Sequence, residues 1–437
     1  MRKFGLAFAL MGILATGSFA QEIKFEEYDL PNGLHVILHQ DHSAPVVVTS
    51  VMYHVGAKDE TPDRTGFAHF FEHLLFEGTQ NIGRGEWFKI VSSNGGKNNA
   101  NTSDDRTYYY EVFPSNNLQL GLWMESERFM HPVINQIGVD TQNEVVKEEK
   151  RLRVDNQPYG NLLKAVKEKM FTNHPYRWTT IGEMEHLDAA TLEEFQDFFK
   201  KFYVTKNAVL VVAGDFQKDQ AKKWIADYFG PIPAGEAPKK LQYEEAPITK
   251  EIHATWEDPN VQIPMLVSAY RTPSMKTREA RVLDMISTIL SDGKSSRLYK
   301  RLVDQEKKAL EVATFNFSQE DYGTYFIYAL PVGETPMSDL SKAFSEEIKK
   351  IQTELISERE LEMILNKFEN DYVNSNANVE GVAHNLATYY LLYKDVNLIN
   401  NELDIIRSVT REEIRDVARK YLNDNQRLLL EYGPEKK

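Results

Sequence analysis

Not one of the 437 residues is a cysteine. That absence excludes a disulfide scaffold, a thiol nucleophile and a cysteine-ligated structural metal. Any zinc this chain holds must be bound by His and carboxylate side chains, a ligand set that favours a catalytic site over a structural one. Long apolar runs are lacking too: past residue 20 no stretch is long and apolar enough for a transmembrane helix. Positive charge is in deficit, with 51 Lys and Arg against 65 Asp and Glu and a formal net charge of −14. That balance disfavours nucleic acid as a partner.

What is present begins with the three parts of a secretory signal: Met1-Arg2-Lys3, an apolar run over residues 4–14, and Ser18-Phe19-Ala20. The run is too short to span a bilayer, which argues against an uncleaved anchor. No cysteine follows to accept a lipid. Cleavage after Ala20 is expected, with export most simply to a bacterial periplasm.

Inside Gly66-Phe67-Ala68-His69-Phe70-Phe71-Glu72-His73-Leu74-Leu75-Phe76-Glu77-Gly78, the segment His69–His73 places two imidazoles four residues apart. On a helix those positions lie one above the other, and position i+3 sits beside them. His69 and His73 can therefore bind one Zn²⁺, with Glu72 alongside to take a proton from a water. The rest of the helix is apolar and reads as buried, ending at Gly78 as a C-cap. The motif is short enough to arise by chance, so a third ligand is required.

Length and a hydrophobic content of 42% allow two or more domains with full cores. Residues 23–40 read as two strands about Pro31-Asn32-Gly33, and residues 46–55 as a third. After the His helix come a helix near residues 86–94, a Gly/Asn-rich turn at 94–101 and a strand at 107–113. Helices follow near 116–130 and from about 139 to 170, then a loop at 174–182, a helix from Thr191 and a strand at 208–213. Residues 230–250 are rich in Pro and Gly and read as a linker. Beyond them the pattern recurs, with a strand near 262–271, a helix at 278–290, a strand pair over 310–330, helices to Tyr421 and a last strand. The segment from Thr191 to Gly214 can be laid without a gap on that from Thr410 to Gly433, matching the Thr, two Glu, an Asp and the final Gly. An internal duplication is implied. The expected fold is α+β, with two homologous halves, each a mainly antiparallel sheet covered by helices, facing each other across a cleft. The expected division is a signal peptide (1–20), a zinc-binding catalytic domain (21–229), a linker (230–250) and a homologous domain without zinc (251–437).

Helical phase selects the third ligand from Glu144-Val145-Val146-Lys147-Glu148-Glu149-Lys150-Arg151-Leu152. Glu149 has Val145, Val146 and Leu152 at i−4, i−3 and i+3 and is read as facing inward, whereas Glu148 neighbours Glu144 and Arg151. Among the remaining histidines, His35 and His39 are read as surface residues of a strand.

Five elements then resemble the pitrilysin/insulinase family of inverted zincins, nearest its short-chain branch with the mitochondrial processing peptidase and bacterial homologues. They are Gly66-x-Ala68-His69-x-x-Glu72-His73-x-x-Phe76-x-Gly78-Thr79; Gly95-Gly96-x-x-Asn99-Ala100-x-Thr102; Glu144-Val145-Val146-x-x-Glu149; His174-Pro175-Tyr176; and Ser295-Ser296-Arg297-Leu298. The resemblance implies a zinc endopeptidase acting on peptides or unfolded segments in an enclosed chamber. By the same likeness, His69, His73 and Glu149 hold one Zn²⁺ and Glu72 is the general base. It also implies that Asn99 and Ala100 lie on an edge strand to which a substrate peptide adds.

One departure stands out. Members that act alone or as homodimers carry an Arg and a Tyr seven residues apart after the Ser-Ser-Arg-Leu helix, and here Val303 and Leu310 take those positions. The second half also has Asp284, Ser287, Thr288 and Lys367 opposite His69, Glu72, His73 and Glu149. The expectation is a heterodimer in which a homologous chain supplies the Arg/Tyr pair, in preference to a homodimer. The competing reading, a non-catalytic scaffold or binding subunit, is opposed by the complete zinc set.

Overall fold

The computed structural model describes residues 22–434; the expected signal peptide lies outside them. The Pro-Asn-Gly turn joins β1 (Glu26–Asp29) to β2 (His35–Gln40). A β-branched run then forms β3 (Val46–Tyr53), buried at every residue after Val46, as a strand covered on both faces must be. With β4 (Lys97–Thr102), β5 (Thr107–Pro114) and β6 (Ala208–Gly214) these make a sheet in the order β1-β2-β6-β3-β5-β4. Only β2 and β6 run parallel; β4 is an edge. The second sheet holds β7 (Ile252–Glu257), β8 (Met265–Pro273), β9 (Ala309–Phe317), β10 (Tyr322–Pro331) and β11 (Arg427–Gly433). Its order is β7-β11-β8-β10-β9, again with one parallel pair, β7 and β11. Strand for strand this is the path β2-β6-β3-β5-β4, so the duplication extends to topology.

Helices repeat the same order. The first half has α1 (Phe67–Leu74), α2 (Trp87–Ser93), α3 (Leu118–Met130), α4 (Gln136–Lys150), α5 (Leu162–Met170), α6 (Met184–Ala189), α7 (Leu192–Phe202) and α8 (Lys218–Phe229). The second has α9 (Arg278–Ser291), α10 (Met337–Thr353), α11 (Glu358–Ser375), α12 (Val379–Thr388), α13 (Leu398–Arg407) and α14 (Arg411–Tyr421). The aligned segments noted in the sequence are α7–β6 and α14–β11, and each helix opens with the same capping box, Thr191 with Glu194 and Thr410 with Glu413. Each half also lends a helix to the other. Residues of α5 pack on β8 and β11, while α12 packs on β3 and β6. Between Phe229 and Ile252 there is neither helix nor strand.

Several local expectations are corrected. The Gly/Asn-rich stretch is a turn only up to Gly96, after which backbone pairing with β5 draws residues 97–102 into β4. The single long helix over 139–170 is two, broken by a π-helical turn at Arg151–Asp155 and an irregular stretch. Helix α1 stops at Leu74 rather than at Gly78, which instead turns the chain with φ +136°. His35 and His39 are buried, not surface residues: α12 continues into a turn that lays Tyr390 flat on His35 at 3.7 Å. Strand β7 and helix α8 were not anticipated.

Candidate metal centre

Helix α1 starts on Gly66, held at φ +92°. A Cβ there would sit 2.8 Å from the Ile181 carbonyl oxygen, so the close approach of the 181–182 backbone requires glycine. Two of the helix's unpaired amides, those of Gly66 and Ala68, donate to the Glu60 carboxylate at 2.9 and 2.8 Å. Phe67, Phe70 and Phe71 stack on Phe195 and Phe198 of α7, and the Tyr109 hydroxyl donates to the Phe71 carbonyl. With one face fixed in the core, the other carries His69, Glu72 and His73 toward α4.

Glu149 occupies the last full turn of α4. The phase argument for it is half right: Val146 is fully buried, but Val145 is 43% exposed, and Leu152, past the end of α4 in the π-helical turn, is 56% exposed. Glu149 nevertheless points inward, and its Oε2 lies 3.5 Å from His69 Nε2 and 3.1 Å from His73 Nε2. These three side chains offer ligand atoms all within 4.8 Å of one another, the one such group among the described residues. His69 Nδ1 and Glu149 Oε2 are buried without a hydrogen bond. Burial, with His73 beside it, drives the His69 ring down to about 4, so it is neutral with a lone pair to give. Two imidazoles and a carboxylate around one point, with an unsatisfied oxygen between them, fit a divalent zinc ion. Arg153, one turn on from Glu149, donates to Glu149 Oε1 at 2.6 Å.

Glu72 borders the same pocket of about 380 Å³ but is not in the converging trio. Burial pushes its carboxyl up, against the lowering effect of the Thr102 hydroxyl, which donates to Glu72 Oε2 at 2.6 Å. A carboxylate oriented by one hydroxyl and kept off the ligand set is placed for proton transfer. Thr102→Val removes that hydroxyl at nearly constant volume; peptide turnover is expected to fall about tenfold, the scale of one charge-assisted hydrogen bond, with zinc content unchanged. Steady-state kinetics with metal analysis checks both halves.

Ala100 lines the pocket and Asn99 does not, though both lie on edge strand β4. The Ala100 amide, with no neighbouring strand on that side, donates to the Asn99 side chain at 3.0 Å. Val303 lies in a π-helical turn and Leu310 near the start of β9, and no Arg/Tyr pair replaces them there. In the second half Lys367, opposite Glu149, pairs with Asp292 and Asp371. Sequence reasoning missed three supports. Thr102 stood in a quoted motif without a role, Arg153 is legible as i+4 from Glu149, and Glu60 has no local signal because it caps α1 from outside the helix.

Comparison with known proteins places this geometry. A family model for Insulinase (Peptidase family M16) matches residues 35–183, and one for the Peptidase M16 inactive domain matches residues 189–368. The chain belongs to peptidase family M16. Within M16, the Zinc protease PqqE of Helicobacter pylori is 28% identical over 97% of each chain. The crystal structure of a protease from Helicobacter pylori has a TM-score of 0.89 at 27% identity, covering 94% of this chain and 100% of that one. The periplasmic protease PqqL from Escherichia coli shares the fold, with a TM-score of 0.80 at 19% identity, covering 95% of this chain and 48% of PqqL. These M16 relatives support a zinc-dependent protease, and the inactive-domain match, residues 189–368, contains none of the metal-group residues found among the described residues.

Proposed function

We propose that this M16 chain is an exported zinc endopeptidase whose single Zn²⁺ is held by His69, His73 and Glu149, with Glu72 as general base. The observation that carries the reading is the convergence of Glu149 on His69 and His73 from 76 positions along the chain, with Glu72 beside the trio and outside it. Zinc bound there supplies a Lewis acid that polarises a scissile carbonyl and lowers the pKa of a water. The remaining work belongs to the chain. Glu72 takes the proton of the attacking water on a carboxylate oxygen and returns it to the leaving amine nitrogen. Thr102 fixes the direction of that carboxylate. Along β4, a substrate in extended form pairs with the open edge at Asn99 and Ala100, and the Ala100 amide exchanges its bond to Asn99 for one to the peptide.

The division at residues 230–250 belongs to the same reading, supported by the lack of helix and strand there. Export to a periplasm is supported by the amino-terminal pattern and by the shared fold of the periplasmic protease PqqL. Among the described residues no helix is long and apolar enough to cross a membrane. A homologous partner chain supplies the Arg/Tyr pair whose positions here hold Val303 and Leu310. That this chain spans 48% of PqqL favours pairing of two such units.

The test is digestion of a mixed peptide pool by the purified chain, alone and with a homologous M16 chain that carries the pair. Cleavage abolished by a zinc chelator and restored by Zn²⁺ is the expected result, with activity raised at least tenfold by the partner. Full activity of the chain alone would remove the heterodimer from the account. Zinc binding without cleavage in either arm would overturn the endopeptidase and promote the scaffold reading.

A further inference from the structure

A second cavity, of about 500 Å³, adjoins the metal pocket. Leu163 of α5 lines both, and the chain leads directly from Ala100, Asn101 and Thr102 in one wall to residues 103–106 in the other. A peptide paired along β4 and running past Thr102 therefore enters this space. Its wall is mainly apolar, with Leu163 and Val166 from α5 facing Phe317 and Phe326 of the second sheet.

The origin of that wall is the way α5 covers the sheet. The helix packs on β7, β8 and β11, Phe326 of β10 joins the same apolar cluster, and edge strand β9 lies beyond it with Phe317 half exposed. Phe317 is 42% exposed there, lying near-parallel to Phe326 at 5.2 Å and to Phe315 at 6.1 Å between ring centres. An edge strand usually blunts itself with charge; this one presents the Phe317 ring to a concave space. The ionisable groups of the lining are turned on the protein itself. Asp104 pairs with Lys167, and Arg106 donates to the Asn101 carbonyl. Burial holds His384 neutral, at about 4. The space is large enough for a bulky side chain and offers a guest apolar contact.

We propose that this cavity receives one aromatic or large aliphatic side chain of the peptide bound for cleavage, with Phe317 setting the preference. The inference rests on the peptidase reading, because it takes its occupant from a chain held on β4. A pocket of this kind discriminates a large apolar side chain from alanine by tenfold or more.

The test uses the zinc-loaded full chain carrying Glu72→Gln, so that binding is read whether or not cleavage occurs. Fluorescence anisotropy measures a peptide series in which each position in turn is Phe, Leu, Ala or Asp. At one position Phe and Leu are expected to bind at least tenfold more tightly than Ala. Adding Phe317→Ala should reduce that ratio to about threefold or less, and Phe317→Asp should abolish it, with zinc content unchanged. A ratio that survives both substitutions, or no position with such a ratio, overturns the subsite. A changed sedimentation coefficient in place of a changed ratio also overturns it, since the patch would then be a contact with a homologous subunit. If the preference holds but the wild-type chain cleaves nothing, the endopeptidase reading fails and the cavity stands as a peptide-binding site.

Discussion

Glu72→Gln is expected to lower peptide cleavage by a factor of about 10²–10⁴ or more while zinc stays bound at one per chain. The substitution keeps the volume of the side chain and can keep the contact with Thr102, so α1 is not disturbed. What it removes is the ability to take a proton from water and hand it to the leaving amine. Because Glu72 stands outside the trio of His69, His73 and Glu149, the metal has no reason to leave. Glu149→Gln makes the contrast. That amide is a weak zinc ligand, so metal and activity should be lost together. Metal analysis beside steady-state kinetics separates the two, and a Glu72→Gln chain that loses its zinc would contradict the assignment of roles.

The largest effect on stability is expected at Arg128, a fully buried guanidinium behind the site. It donates to Glu111 at 2.9 Å, lies 3.4 Å from Glu125, and is stacked against the rings of Phe76, Trp87 and Tyr109 at 4.5, 4.2 and 4.4 Å. Burial, together with the Glu125 charge, pushes the Glu111 carboxyl well up. Arg128→Met leaves two carboxyl groups buried against one another with no cation, a loss of about 3–5 kcal/mol. Replacing Glu111 and Glu125 by Gln in the same chain should restore most of it, since the uncompensated charge and not the missing ring contacts dominates. Urea unfolding of the single and triple variants measures the difference. The same variant should loosen the metal helix, because Tyr109 both stacks on Arg128 and holds the Phe71 carbonyl of α1.

What the sequence revealed and what it hid follow from the range of the interactions. His69, Glu72 and His73 share a face by helix geometry alone, and Glu149 could be chosen over Glu148 because Val146 at i−3 is a true core residue. The same rule misjudged Val145, an apolar side chain that no core claims, and Leu152, which lies in a π-helical turn where the α-helical phase no longer holds. Residues 97–102 looked like a turn because Asn and Gly are poor strand formers, and pairing with β5 overrode that propensity. The duplication was legible in the capping boxes of α7 and α14. The exchange of α5 and α12 between the halves was not, because each helix satisfies a sheet far from it in sequence. His35 was misread for that reason: its cover, Tyr390, comes from the other half. Glu60 acts through the Gly66 and Ala68 amides and Arg128 through Glu111 on β5, partners that no local pattern announces.

The central claim is that three side chains of this one chain hold a zinc ion and Glu72 does not. A crystal structure with data collected on both sides of the zinc absorption edge tests it most directly. The account predicts one anomalous peak, bounded by His69 Nε2, His73 Nε2 and the Glu149 carboxylate, with Glu72 outside bonding distance. No peak at that point, or a peak with Glu72 among the ligands, would contradict it.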